Sequence, residues 1–216
     1  MAFELDHMFV TVRPGAPEMA NLVAAGFQEG QRNRHAGQGT ASTGVFFENA
    51  YVELLWLEDR AEAQSARICR TRLAQRADPG QRASPFGFGL RSALGAAQPA
   101  PFATWDYRPP YVPAGTAIPT ARNSENVAEP LLFLLPWKSG PGYVCPEHPN
   151  GARRVTQVSL TVVAQREMSA ELAAFASLRL VVVEVGAVPL LEVQLDDLAS
   201  GAVVDLRPEV PFLIRW

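Results

Sequence analysis

Two residues with acid–base and metal-binding chemistry stand in segments that are otherwise apolar. His7 lies midway along "FELDHMFVTV" (3–12), and Glu53 lies within "AYVELLWLED" (50–59). A carboxylate among such neighbours is costly to bury unless it is paired, protonated or bound to a cation. A neutral imidazole and a carboxylate suit zinc, iron, nickel or manganese when further ligands converge. The pair therefore indicates a divalent-metal site; the alternative is a hydrogen-bonded His7 with Glu53 pointing to solvent at a sheet edge.

The loop "RHAGQGT" (34–40) is a second segment with a chemical signature. It combines a basic cluster with two glycines that can take positive φ and with backbone N–H groups free to meet an anion. The alternative is a plain glycine-rich connection. Cys145 and His148 in "CPEHPNG" also have a chelating spacing, but the prolines there favour a turn. The chain has no nucleophile elbow, phosphate-loop lysine motif or dinucleotide fingerprint, so no nucleotide cofactor is predicted.

The elements that would position His7 and Glu53 follow from hydrophobic periodicity. The first segment reads as a strand with Leu5, His7, Phe9 and Thr11 on one face. "PEMANLVAAG" reads as a helix that ends at a glycine. "GVFFEN" and "AYVELLWLED" read as an antiparallel hairpin joined at Glu48 and Asn49. Strand, helix and strands is thus the predicted order of the first module.

The middle of the chain is harder to assign. Residues 59–77 are rich in alanine and arginine and predict one solvated amphipathic helix, with Asp59 able to cap its start. Prolines recur through 79–119 and favour long loops, with "GFGL" and "ATWDY" as short strands between them. "EPLLFLLPW" (129–137) reads as a buried strand, followed by a loop.

The last third restarts the opening pattern of strand, helix and strands, so the order βαβββ appears twice. Aligning "LDHMFVTV" with "VTQVSLTV" places Gln157 opposite His7, and "EPLLFLLPW" is echoed by "EVPFLIRW". We therefore predict an internal duplication: a first module with its following helix over 1–78, a proline-rich segment over 79–152 and a further module over 153–216, together forming one compact unit.

Composition narrows the class of protein. With 216 residues, of which 48% are hydrophobic, the chain can build a substantial core. Its net charge of −3 argues against a nucleic-acid partner. The first residues resemble neither a signal peptide nor a membrane span, which predicts a cytoplasmic location and no membrane partner. The two cysteines form no CxxC pair and are expected to be ordinary thiols.

Several of these segments together resemble the glyoxalase-like branch of the vicinal oxygen chelate superfamily. The similarity rests on "LDHMFVTV", a helix ending in glycine, "RHAGQGT", "AYVELL", "EPLLFLLPW" and "HPNGARRV", and it touches residues 4–163 at intervals. Where that family usually shows asparagine after the Gly-Thr pair, this chain has Ala41-Ser42-Thr43. The resemblance implies an α+β fold of paired βαβββ modules that form a cupped, incompletely closed β-sheet barrel with flanking helices.

The resemblance also implies a ligand set. Metal-dependent members take ligands from the first and last strands of two modules, which carries over His7 and Glu53, with Glu53 also able to shuttle a proton. Gln157 matches the first strand of a second module as a neutral oxygen donor. The fourth position has no match, because "VPFLIRW" supplies no carboxylate. If the second module is instead 85–137, its strands "FGFGL" and "PLLFLLPW" supply no ligand at all.

Two functions are compatible with this resemblance. One is a divalent-metal-dependent lyase, isomerase or dioxygenase acting on a small oxygenated metabolite. The other is a metal-free protein that binds or sequesters a small molecule in the same cup. The resemblance also implies a homodimer, because paired modules of this superfamily often meet across a dimer. The substrate-binding residues expected in either case are Arg34, His35, Thr40, Trp56, Trp137, His148 and Asn150.

Overall fold

The computed structural model of the chain describes residues 2–94, 98–139, 143–163 and 167–216, with the backbone alone for 136–139. The first sheet contains β1 Phe3–Thr11, β2 Asn33–His35, β3 Thr40–Phe46, β4 Tyr51–Leu57, β5 Phe86–Ser92, β6 Thr104–Tyr107, β7 Ile118–Ala121 and β8 Leu131–Ser139. The second contains β9 Val155–Val163, β10 Val182–Gly186, β11 Leu190–Leu195, β12 Val203–Asp205 and β13 Phe212–Arg215. The α-helices are α1 Met19–Ala24, α2 Arg60–Ala63, α3 Leu73–Arg76 and α4 Ala170–Ser177, and short 3-10 turns cover Cys69–Thr71, Arg122–Glu125 and Asp196–Leu198.

The eight-stranded sheet has the order β2-β3-β4-β1-β5-β8-β7-β6 and consists of two halves with one pattern. In each half the first and last strands are parallel neighbours, β1 with β4 and β5 with β8. The antiparallel pair β1–β5 joins the halves. Among the described strands neither sheet closes on itself, which confirms the predicted α+β fold with a cupped, open sheet. Strands β5 to β8 therefore complete the eight-stranded sheet of the first module, which they join through the pairing of β5 with β1.

The second sheet, with the order β10-β9-β11-β13-β12, repeats this scheme with fewer strands. β9 is parallel to β10 and antiparallel to β11, and β11 is parallel to β13. β9 therefore takes the place of β1, and β13 takes the place of β8. Both sequence echoes join strands that are equivalent in this scheme.

The main core lies between the two sheets and is filled by the inward faces of their central strands. Met8 of β1, Leu160 of β9 and Val193 of β11 are fully buried there. Helix α4 closes one side by packing Phe175 against Phe88, with ring centroids 5.3 Å apart. The opposite face of the first sheet is left to form a cup.

The segment 59–77 is not the single helix that its composition suggested. Asp59 caps α2 as predicted, through its carboxylate and the backbone N–H groups of Ala61 and Glu62. The helix ends after one turn, and α3 begins only after Arg72, which has a positive φ of 57°. The second half of the segment is also buried where solvent was expected, and there Arg76 donates hydrogen bonds to the carbonyls of Thr71, Ser84, Ser124, Asn126 and Glu129. These hydrogen bonds hold α3 over the cup.

The short strands expected within the proline-rich middle are confirmed as β5 and β6. The opening strand, the following helix and the hairpin of β3 and β4 are also where periodicity placed them. In the described part of the chain, no helix combines the length and the apolar character needed to cross a bilayer.

Candidate functional site

A cavity of about 220 Å³ occupies the cup of the first sheet. Strands β1, β4 and β8 form its floor, and the segment around α3 together with β6 and β7 covers it. Its apolar wall consists of Phe9, Leu55, Leu73, Ile118, Leu131, Phe133 and Leu135. Its polar wall consists of His7, His35, Gln38, Tyr51, Glu53, Thr71, Tyr107, Tyr111 and Thr120. Of the predicted site residues, the structure thus brings His7, His35 and Glu53 together in one cavity.

A bulge in β1 sets the orientation of His7. The pairing of β1 with β5 shifts between Leu5 and His7, so Asp6 is an extra residue in the ladder. Leu5 consequently joins the main core instead of the face of His7, contrary to the alternation expected from sequence. β-Bulges commonly redirect side chains beside functional sites. Here the bulge lets two consecutive side chains touch, with His7 Nδ1 2.8 Å from Asp6 Oδ1.

The partners of His7 assign its tautomer. A carboxylate only accepts hydrogen bonds, so in the neutral imidazole Nδ1 carries the proton and donates it to Asp6. Asp6 is fully buried and its Oδ2 accepts a second hydrogen bond, 3.2 Å long, from Arg91 Nη1. His7 Nε2 is left with a lone pair, 3.8 Å from Glu53 Oε2. The ring of Tyr51 stacks on the imidazole at a centroid distance of 4.6 Å and holds its plane.

His35 has the opposite polarity toward Glu53. The hydroxyl groups of Tyr107 and Tyr111 donate to Gln38 Oε1 over 2.6 and 3.2 Å, which fixes the orientation of that amide. Gln38 Nε2 then donates to Thr40 Oγ1 over 2.7 Å. Thr40 Oγ1 lies 2.9 Å from His35 Nδ1, and we assign the hydroxyl proton to this contact, with Nδ1 as the acceptor. His35 Nε2 therefore carries its proton and faces Glu53 Oε1 at 3.8 Å.

Glu53 stands between these two imidazoles. Its side chain is 12% exposed, and within the described part of the chain no hydrogen-bond donor reaches its carboxylate. A distance of 3.8 Å is too long for a hydrogen bond. The group is therefore desolvated on most sides without a protein partner, an arrangement that costs folding free energy.

The tyrosines of the site are neutral phenols. Burial raises the pKa of Tyr107 and, together with the charge of Glu53, that of Tyr51. Tyr111 is 41% exposed at the rim, but desolvation of its hydroxyl end and then the charge of Glu53 raise its pKa as well. All three remain protonated near neutral pH and act as hydrogen-bond donors and aromatic walls.

A more open cleft of about 410 Å³ adjoins the cavity on the side of β2 and β3. His35, Tyr51 and Glu53 border both spaces, so they form the neck between the cleft and the cavity. Arg34 lies in this cleft and not in the cavity. Its Nε is paired with Glu58 Oε2 at 2.7 Å.

Other residues predicted for the site lie elsewhere. Thr40 is buried behind His35 as described above. Trp56 points into the main core and is 7% exposed. Gln157 is exposed on the second sheet, where its Nε2 donates to Ser159 Oγ over 3.3 Å. The side chain of Trp137 lies outside the described residues.

His148 and Asn150 fasten the loop before β9 to the first module. His148 Nδ1 accepts from the backbone N–H of Gln28 over 3.0 Å, so its Nε2 donates to the carbonyl of Phe46, also over 3.0 Å. Asn150 donates to the carbonyl of Ala25 over 3.0 Å. Burial lowers the pKa of His148, which keeps this imidazole neutral. Neither side chain lines the cavity.

The donors present do not make up the metal site that the resemblance implied. The two halves of the first sheet meet at His7 and Gly89, and the floor on the second half is made of Leu131, Phe133 and Leu135. No donor side chain from β5 or β8 therefore faces His7 and Glu53 among the described residues. The part of the chain that the structure describes contains no group of three or more His, Cys, Asp or Glu side chains placed to hold a metal ion.

Sequence reasoning missed several residues of this site. Asp6 is an acid in an apolar strand, the same signal that marked Glu53, but strict alternation assigned it to the face away from His7. Tyr51 directly precedes the Val52-Glu53 pair and shares the cup-facing alternation of Glu53. Gln38, Tyr107 and Tyr111 come from loops and short strands, and their convergence depends on the paths of those segments.

Comparison with known families places these features in context. A family model described as a glyoxalase-like domain matches residues 5–176. A crystal structure of a hypothetical protein from Staphylococcus aureus is similar over 100% of this chain and 99% of its own, with a TM-score of 0.50 and 10% sequence identity. At that identity the likeness shows the fold alone. Comparison with curated proteins finds no match.

Proposed function

The chain belongs to the glyoxalase-like domain family, and we propose that it binds a small oxygenated molecule in the cup and moves a proton on it. The observation that carries this proposal is the opposite polarity of the two imidazoles. His7 Nε2 presents a lone pair and His35 Nε2 presents a proton, each 3.8 Å from the carboxylate of Glu53. A base and an acid thus line one cavity, on either side of the Glu53 carboxylate.

In this reaction His7 acts as the general base. Its Nε2 takes a proton from a carbon next to an oxygenated group, and the resulting imidazolium is stabilised by Asp6 behind it and by Glu53 beside it. His35 Nε2–H donates to the oxygen on which negative charge develops. General acid–base groups of this kind contribute about 10²–10⁴-fold each. Return of this proton from His7 to the adjacent carbon completes an isomerisation. With a leaving group on the next carbon, departure of that group with its bonding electron pair completes an elimination instead.

The walls of the cavity define what can enter. About 220 Å³ is below the roughly 300–1,000 Å³ of sites for drug-sized molecules. The side chains of Phe9, Leu55, Ile118 and Leu131 would hold an apolar body, while the polar residues His35, Tyr51 and Glu53 lie at the neck. A compact molecule with one polar end fits this division.

Of the predicted metal ligands, His7 and Glu53 line the cavity, and these two residues would contribute to holding a divalent metal. Gln157 lies on the other sheet, and the described residues of β5 and β8 do not complete the set. No step of the proposed reaction is therefore assigned to a metal. Elemental analysis of protein purified without chelator tests this: near-stoichiometric metal that is lost in both His7→Ala and Glu53→Ala would overturn the metal-free assignment.

Solvent deuterium exchange tests the proposed proton transfer without knowledge of the substrate. The protein is incubated in D₂O with a panel of small hydroxy and carbonyl compounds, and deuterium at carbon is followed by NMR. We expect exchange with at least one compound, reduced about 10²–10⁴-fold in His7→Asn. Glu58→Gln, which removes a carboxylate outside the cavity, should leave the rate unchanged. Saturable binding in the cup without any exchange would refute the catalytic role.

That last outcome would support the second candidate, a binding or sequestering protein. The observation in its favour is the continuous apolar wall formed by β1, β4, β8 and the segment around α3. Phe9, Leu55, Leu73 and Leu131 form one cluster there, against which Phe133 packs. Such a wall retains a ligand by burial of apolar area alone.

A further inference from the structure

The cavity has a negative electrostatic character. Glu53 contributes a carboxylate to the cavity, and none of the described side chains that line the cavity is a lysine or an arginine. The guanidinium of Arg91, which contacts Asp6 behind His7, is already bound to Glu4, Asp6 and the carbonyl of Asn49. Arg34 in the adjoining cleft is paired with Glu58. Among the described residues, a ligand with a carboxylate or phosphate group would therefore meet Glu53 without an unpaired cation to offset it.

Glu53 also has an unmet need for a donor. Burial of a carboxylate is tolerated when charge-assisted hydrogen bonds replace its hydration, and such bonds are about twice as strong as neutral ones. Both imidazole Nε2 atoms stand at 3.8 Å, beyond hydrogen-bond reach. The carboxylate borders the cavity and the adjoining cleft, so a molecule that enters there can supply the missing donor.

Several aromatic side chains line the same cavity as this carboxylate. Tyr51 and Tyr111 are close enough for the charge of Glu53 to act on their hydroxyl groups, and Tyr107 and Phe133 line the same cavity. The faces of such rings attract cations within about 6 Å, and cages of several rings recognise ammonium groups. A carboxylate within a group of neutral phenols is therefore suited to an organic cation.

We propose that the ligand of the cup carries a cationic nitrogen, as a protonated amine or methylated ammonium group, which binds between Glu53 and the aromatic rings of the cavity. This inference rests on the proposed function, because it assumes that the cup is the binding site. It adds the chemical class of the ligand: a small organic cation with an apolar body, the body lying against Leu55, Ile118 and Leu131. His7 remains free to act as the base.

Three probes of one size test the class of ligand. Benzylamine, benzyl alcohol and benzoate share a phenyl ring and differ in charge at neutral pH, and their dissociation constants are measured by calorimetry or ligand-observed NMR. We expect benzylamine to bind about tenfold more tightly than benzyl alcohol, and benzoate to bind most weakly.

Two carboxylate variants with the same change of net charge locate the effect. Glu53→Gln should remove the preference for the amine and leave the affinity for the alcohol within about threefold of the wild type. Glu58→Gln, at an exposed position paired with Arg34, should retain the preference. Tyr111→Leu keeps an apolar side chain but removes a ring, so it should weaken the amine more than the alcohol.

The possible results separate this inference from the function on which it rests. Equal or tighter binding of the alcohol or of benzoate to the wild type overturns the cationic class but leaves a binding cup. A preference for the amine that survives in Glu53→Gln, or that disappears in Glu58→Gln, also overturns it, since the attraction then lies outside the cavity. Failure of all three probes to bind overturns both.

Discussion

Asp6→Asn is the substitution that tests the site most directly, because it alters one proton position and almost no volume. Asp6 accepts from both His7 Nδ1 and Arg91 Nη1. A guanidinium only donates, so the amide oxygen of the variant must turn toward Arg91. The amide NH₂ then faces His7 and requires Nδ1 to accept. The imidazole proton moves to Nε2, and the base becomes a donor.

The expected loss of activity is large and the loss of stability is moderate. An orienting carboxylate replaced by its amide in an Asp–His pair lowers turnover by up to about 10⁴-fold, a magnitude known from serine proteases. We expect a decrease of about 10²–10⁴-fold in the rate of deuterium exchange. Arg91 retains Glu4 and the carbonyl of Asn49 as partners, so the unfolding free energy should fall by only about 1–3 kcal/mol.

The tautomer itself is the decisive measurement. Long-range ¹H–¹⁵N NMR of the imidazole distinguishes a proton on Nδ1 from one on Nε2, independently of any substrate. The wild type should show the proton of neutral His7 on Nδ1 and Asp6→Asn should show it on Nε2, while the spectrum of His148 stays the same. An unchanged His7 tautomer in a folded variant, or an exchange rate equal to that of the wild type, would refute the assigned role of Asp6.

Three further expectations concern stability. Glu53→Gln should raise the unfolding free energy by about 1 kcal/mol and the melting temperature by about 2–4 °C, because it removes a desolvated carboxylate without a donor; a lower melting temperature would contradict this. Gly89→Ala places a Cβ 2.7 Å from His7 Cε1, so it should lower the free energy of unfolding by about 1–3 kcal/mol and abolish deuterium exchange. The control Gly80→Ala, whose Cβ meets only Asp78 Oδ1 at 3.3 Å, should leave the unfolding free energy measured in urea within about 0.5 kcal/mol of the wild type. Burial lowers the pKa of His148, so as the pH falls below about 6.5 the unfolded chain takes up a proton before the folded chain does. The contribution of His148 to stability is therefore complete above that pH and is lost as the pH falls through the lower pKa of the folded state. In His148→Gln the free energy of unfolding should fall less steeply between about pH 7.5 and pH 5.5, and a slope equal to that of the wild type would contradict this.

Periodicity predicted those parts of the fold in which burial alone decides the pattern. The segment that carries Glu53 was predicted as a strand, and in β4 the alternation of a strand places Leu54 in the core and Glu53 in the cup. The helix before Gly26 and the hairpin at Glu48 and Asn49 were predictable for the same reason. In these elements each local preference agrees with the tertiary environment.

The parts that could not be predicted depend on departures from regular geometry. One inserted residue in β1 moves Leu5 to the core and brings Asp6 beside His7, and no periodic pattern shows which residue of a strand is the extra one. The segment 59–77 has the composition of an exposed helix, yet Arg76 is 2% exposed because five backbone carbonyls satisfy it. Both effects arise from contacts made far along the chain.

The glycines of β5 explain why this site is one-sided. A Cβ at Gly87 would lie 2.1 Å from the ring of Phe9, and one at Gly89 would lie within 3.0 Å of His7. The rings of the first half therefore lean over the second half and occupy the space where ligands of a symmetric metal site would project. With that half filled by rings, the partner that faces Glu53 opposite His7 is His35 from β2. Replacing Gly87 or Gly89 by a metal-binding residue should therefore displace Phe9 or His7 instead of completing a metal site. Such variants should lose deuterium exchange without gaining stoichiometric metal.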